Sequence, residues 1–214
     1  MKKIIIFLLS IFMLMAGVAQ CAEREPIRIA RLPIAVKSNI APSGQTLDRL
    51  EEQIDRALNV PLNGVLKAVE YINEEECERA LAEVLAEQRA KTGKKKTKLK
   101  DAMLPMAEKL NADIVICPAL TEYSEYVYPS LRLTGGIIVH STAAARVTGC
   151  KRSDGTVFDK ERYRYYHDEM SSQGMAEVLA LYCMQQALDD AKVRELIPAM
   201  TEWIKGNEEK KDDH

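Results

Sequence analysis

The chain has 214 residues, of which 47% are hydrophobic, and carries 30 basic against 32 acidic side chains, a net charge of −2. So balanced a charge supplies no global field for nucleic acid or for an anionic membrane, and excludes functions that depend on a strongly basic chain. The apolar fraction is that of a chain able to bury a core, which excludes a disordered polar protein.

Residues 1–22 read as an export signal. A basic start, Lys2-Lys3, precedes an apolar run from Ile4 to Met15 and a small-residue stretch at Ala16, Gly17, Val18 and Ala19. The apolar run is shorter than the ~20 residues that a spanning helix needs. Val18-Ala19-Gln20-Cys21 approximates a lipobox, which makes Cys21 a lipidation candidate, but Gln20 departs from the Gly, Ala or Ser that this motif requires. Ordinary cleavage between Ala19 and Ala22 is therefore favoured, with a periplasmic or extracellular product of about 190 residues, enough for one domain over 23–205.

Ile27 to Ile34 reads as a first strand stopped at Pro33. Thr46 is placed to N-cap a helix with an apolar stripe at Leu47, Leu50, Ile54 and Leu58. Val65, Leu66, Val69 and Ile72 restart the helical spacing after Pro61. Asn73, with Glu76 three residues on, opens a further helix whose stripe runs from Cys77 through Leu85. Lys91 to Lys100 holds six lysines and no aromatic residue. It reads as a solvated loop, with weak contact to a membrane surface as the functional alternative.

Met103 to Leu110 suggests a short helix with Pro105 in its first turn or at a bend. Asp113 to Leu120 is a central strand by its unbroken apolarity. Ile137–Thr148 and Thr156–Tyr166 are long strands, and Asp154-Gly155 between them predicts an antiparallel hairpin with a type I′ turn. Met175 to Leu188 is an amphipathic helix that continues or restarts at Val193. The stretch 206–214 is a charged, frayed tail. The elements amount to an α+β fold, a two-layer sandwich of a small mixed sheet of about four strands covered by helices.

This order resembles the TolB amino-terminal-domain superfamily of envelope proteins, which includes the curli-secretion lipoprotein. The likeness rests on Ile29-Ala30-Arg31-Leu32-Pro33-Ile34, on Ala107 to Ile116 with its Ala112-Asp113 junction, and on the hairpin at Asp154-Gly155-Thr156. The chain departs from the pattern at Cys117-Pro118-Ala119, where the family has a glycine. The resemblance implies a periplasmic adaptor or assembly role and transfers no site residues.

No catalytic motif, cofactor motif or zinc-ligand spacing is visible, so a non-enzymatic protein is expected. Cys77, Cys117, Cys150 and Cys183 permit disulfides in an exported chain, and buried thiols equally. Six of the eight tyrosines, Tyr123, Tyr126, Tyr128, Tyr163, Tyr165 and Tyr166, flank the central strand and the far end of the hairpin. They are the candidate surface for an envelope protein partner or for self-association. The alternative is a periplasmic small-ligand-binding protein or enzyme using His140 and His167, with a cysteine.

Overall fold

The computed structural model describes residues 25–61, 63–93, 97–130 and 136–197. Residues 1–22, expected to be an export signal and including Cys21, and the expected tail 206–214 lie outside the described residues. The strands are β1 (Ile27–Arg31), β2 (Ala35–Val36), β3 (Val69–Tyr71), β4 (Ile114–Pro129), β5 (Ile137–Lys151) and β6 (Thr156–Glu169). The helices are α1 (Gly44–Leu58), α2 (Asn63–Leu66), α3 (Glu74–Thr92), α4 (Leu99–Leu110), α5 (Ala176–Asp190) and α6 (Val193–Leu196).

One mixed sheet runs in the order β3-β1-β4-β5-β6, with β2 also pairing β4. β1 is parallel to β3 and β4, whereas β4, β5 and β6 form an antiparallel meander. The α+β class is as expected, with six strands among the described residues in place of about four.

Each departure has a local cause. Ser43, not Thr46, caps α1, and its Oγ accepts the Thr46 N–H at 3.1 Å while Thr46 is buried inside the helix. The helix expected from Val65 to Ile72 ends after Leu66. Lys67 adopts a positive φ of 46°, and the Asn63 side chain accepts from Val69 N (2.8 Å) and donates to Val69 O (2.9 Å), turning the chain into strand β3. Asn73 does cap α3, accepting the Glu75 N–H.

Pro105 lies in the interior of α4 rather than its first turn. It lacks the N–H that would bond the carbonyl four residues back, and Gln88 Nε2 donates to that carbonyl, Asp101 O, at 2.8 Å. The lysine-rich stretch is partly helical, because Lys91 closes α3 and Lys100 lies in α4. At the end of α3, Lys91 faces the negative pole of the helix.

The hairpin between β5 and β6 forms as expected, with a different turn. Lys151 pairs with Thr156, so the loop has four residues, and of these only Gly155 takes a positive φ, 68°. A type I′ turn needs two such residues. In mid-strand, Gly149 is required by close approach, since a Cβ there would lie 2.2 Å from Val115 O and 2.5 Å from the Phe158 ring.

Alternation, broken in β4 at one point, divides the sheet into two faces. On one, α1 and α5 bury Ile29, Leu50, Ile54, Ile116, Leu120, Ala145, Val147, Met184 and Leu188. On the other, α3 and α4 bury Leu32, Cys77, Val84, Met103, Met106, Val115, Cys117 and Cys150. The second pair of helices reaches only the end of the sheet near the β5–β6 turn. Three layers are present there, whereas over the distal part of β4, β5 and β6 the described helices back one face only.

A bulge in β4 sets what that bare face carries. Leu120 pairs with Ala145 and Glu122 with Ala144, so Thr121 is an extra residue in the ladder. Before it, even-numbered residues face α1 and α5; after it, odd-numbered residues do.

Candidate functional site

The bare face is built from three strands in register. Glu122, Ser124, Tyr126 and Tyr128 come from β4; Ile138, His140, Thr142 and Ala144 from β5; Tyr163, Tyr165 and His167 from β6. The small residues Thr142 and Ala144 form a floor, buried at 6% and 4% exposure by taller side chains on both neighbouring strands. Tyr163 and Tyr165 make one wall, Glu122 and Tyr126 the other. Arg146 and Glu161, joined at 2.6 Å, close the end nearest the helices. Arg146 holds the Glu161 carboxyl below the usual carboxylate range. A cleft of about 360 Å³ between residues 37–40 and Tyr126 borders the β4 wall.

At the far end the rings cluster. His140 meets Tyr165 edge-on with centroids 5.2 Å apart and Tyr126 at 6.1 Å, and Tyr165 lies nearly parallel to His167 at 6.2 Å. His140 Nδ1 and His167 Nδ1 are 3.2 Å apart, and the Tyr128 hydroxyl is 3.4 Å from His167 Nε2.

Four of the six tyrosines expected to share a surface do so. Tyr126, Tyr128, Tyr163 and Tyr165 are 57%, 41%, 55% and 53% exposed on this face. Tyr123 and Tyr166 point the other way and pack on the α1–α5 core. Burial raises the Tyr123 phenol above its ordinary value. Tyr166 covers Gly174 and donates to Glu169 O at 2.7 Å. The arginines beside them also belong to the opposite face. Arg162 pairs with Asp190, and Arg164 lies 4.4 Å above the Tyr182 ring while donating to its hydroxyl, so both fasten β6 to α5.

The histidine–cysteine pairing is not assembled. Cys117 and Cys150 lie under α3 and α4, Cys150 is ten positions from His140 along β5, and Cys183 is on the opposite side of the sheet. All four cysteines of the described chain are free and buried. Burial pushes each thiol up to about 11, so at neutral pH they are protonated and poorly nucleophilic. Among the described residues, no group of three or more His, Cys, Asp or Glu side chains could hold a metal ion, and no helix is long and apolar enough to cross a membrane.

Alternation would have separated Tyr123 from Tyr126 and Tyr166 from Tyr165, had Thr121 to Pro129 been recognised as strand. The histidine pair hangs on the turn. A two-residue turn at Asp154-Gly155 would set His140 opposite Glu169, while the four-residue turn sets it opposite His167.

No protein-family model matches the chain, and no curated protein matches it. Solved structures to which the chain shows similarity include the PelC dodecamer from Paraburkholderia phytofirmans, at 12% identity over 76% of this chain and 86% of that one, with a TM-score of 0.34. Lipoprotein GNA1162 from Neisseria meningitidis is 16% identical over 80% of this chain and 98% of its own, with a TM-score of 0.33. The hypothetical protein CT253 from Chlamydia trachomatis is 10% identical over 81% and 98%, with a TM-score of 0.42.

Proposed function

We propose that the protein is a non-enzymatic adaptor or assembly module of the cell envelope, exported by its amino-terminal signal and related to the TolB-like proteins its sequence resembles. It binds a protein partner, or a second copy of itself, through the distal sheet face and the adjoining β6 edge. The observation that carries this reading is the gathering of Tyr126, Tyr128, Tyr163 and Tyr165 on one face that no described element covers. Tyrosine combines large apolar area with low conformational entropy, and is enriched at interface anchors. β6 adds 14 residues of strand at the sheet edge, a template for a further strand.

A photoreactive residue at Tyr165 or Tyr126 should trap one discrete adduct in intact cells, whereas the same residue at the exposed Val178 of α5 should trap none. Free monomer alone at both tyrosine positions would sink the proposal. The second reading, ligand binding or turnover through His140 and His167, is favoured by the contact between their rings. It predicts loss of ligand binding in His140→Ala and His167→Ala.

A further inference from the structure

The pair His140–His167 holds chemistry that the adaptor reading does not use. The two side chains are direct cross-strand neighbours with Nδ1 atoms 3.2 Å apart. A hydrogen bond at that distance needs one Nδ1–H and one lone pair, so one proton lies between the two nitrogens. The Tyr128 oxygen lies 3.4 Å from His167 Nε2, and in the tautomer that carries its proton on Nε2 this oxygen accepts it and His167 Nδ1 keeps its lone pair. A ligating histidine takes this arrangement, in which one ring nitrogen faces the ion and the other is fixed by an outer partner. Tyr126 and Tyr165 pack edge-on against the imidazole of His140, and Tyr165 lies nearly parallel to that of His167.

We propose that His140 Nδ1 and His167 Nδ1 form a two-nitrogen site for a divalent transition-metal ion of the zinc and copper class, with the remaining positions open to water or to a donor from a bound molecule. Metal–nitrogen bonds of ~2.0–2.1 Å spanning this separation subtend about 100°, near the tetrahedral value. Imidazole suits such ions, and copper binds most tightly in the divalent series. Coordination through both Nδ1 atoms moves the proton between them to His140 Nε2, so that each ring ligates as a neutral imidazole. No lysine or arginine lies in the rows of the bare face that hold Tyr126, Tyr128, His140 and His167, while Glu169 occupies the next β6 position on that face and favours a cation.

The test uses tag-free protein in metal-free buffer, titrated with Zn²⁺ alone against a chromophoric chelator, and with Cu²⁺ alone by electron paramagnetic resonance. The chain has three histidines, and His214 is its last residue, so His214→Gln is the internal control. One Zn²⁺ per chain is expected, lost in His140→Gln and in His167→Gln and retained in His214→Gln. The Cu²⁺ spectrum should show two nitrogen ligands, and Tyr128→Phe should weaken Zn²⁺ binding about 10-fold. Zn²⁺ binding that survives both strand substitutions, that disappears with His214→Gln alone, or that is absent from the unaltered protein at ~1 mM metal would overturn the site. The crosslinking result does not depend on it.

Discussion

The same three strands make two different regions. Toward the β5–β6 turn, β4 and β5 are covered on both faces, and residues such as Val115, Ile116 and Cys150 are at 0% exposure. Toward the other end, one face is sealed by α5 while the opposite face carries tyrosine and histidine and is covered by no described helix. Glu125 accepts the Ala176 N–H at 2.7 Å, so the distal strand itself supplies the anion at the start of the helix that backs it. Stability should therefore reside at one end and recognition at the other.

Substitutions can test that division. The largest loss should come from the covered end. Ile116→Ala should cost about 3–4 kcal/mol, and Gly149→Ala, which drives a methyl into the Val115 carbonyl, about 3 kcal/mol. Denaturant melts of both variants measure this. A loss below about 1 kcal/mol for both would mean that the covered end does not anchor the fold.

The thiols give a pH test of the same region. Their folded values are raised to about 11, so their contribution is fully present below the ordinary thiol value and is lost as pH rises through the folded one. Stability should fall by on the order of 1 kcal/mol per thiol by about pH 10. Cys183→Ala should flatten that slope, and thiol reagents should label the native protein only as it unfolds.

On the bare face, Tyr126→Ala and Tyr165→Ala should each change stability by less than about 1 kcal/mol while abolishing the crosslinked adduct. A large loss of stability would place these rings in the core and break the division. The smallest effect is expected at the boundary, where the Glu161 carboxyl is held low by Arg146. Its contribution is present above the ordinary carboxylate range and disappears as pH falls through the lowered value. The pair is partly exposed, so Glu161→Gln should remove less than ~1 kcal/mol at neutral pH and make the acid limb of the pH–stability curve shallower.

Where the sequence was legible, short-range physics decided the outcome. The continuous apolar run Ile114–Leu120 and the stripe Leu50, Ile54 and Leu58 named their elements, because each signal lies within the element it describes. The misplaced features depend on partners distant in the chain or on local turn geometry. Asn63 folds back on Val69, a positive φ at Lys67 cuts short a helical pattern, and two residues of turn length decide which side chain His140 meets. The six tyrosines read as one group because they are close in sequence and rich in ring area. Their division into four and two follows from strand parity, which shows only once β4 is known to continue to Pro129.

That parity gives the bulge a further meaning. Thr121 takes up one surplus residue, and its hydroxyl reaches Ala144 O at 3.3 Å and Glu161 at 2.8 Å across the neighbouring strands. Removing Thr121 would restore an unbroken ladder with Glu122 still opposite Ala144 and every later side chain on its present side. A deletion between Glu122 and Tyr126 would instead exchange interior and exterior for the residues upstream or downstream of the gap. β4 thus contains one tolerant slot for a change of length, set where the covered strand becomes the displayed one. Loss of that one residue would shorten the strand without rewriting its surface.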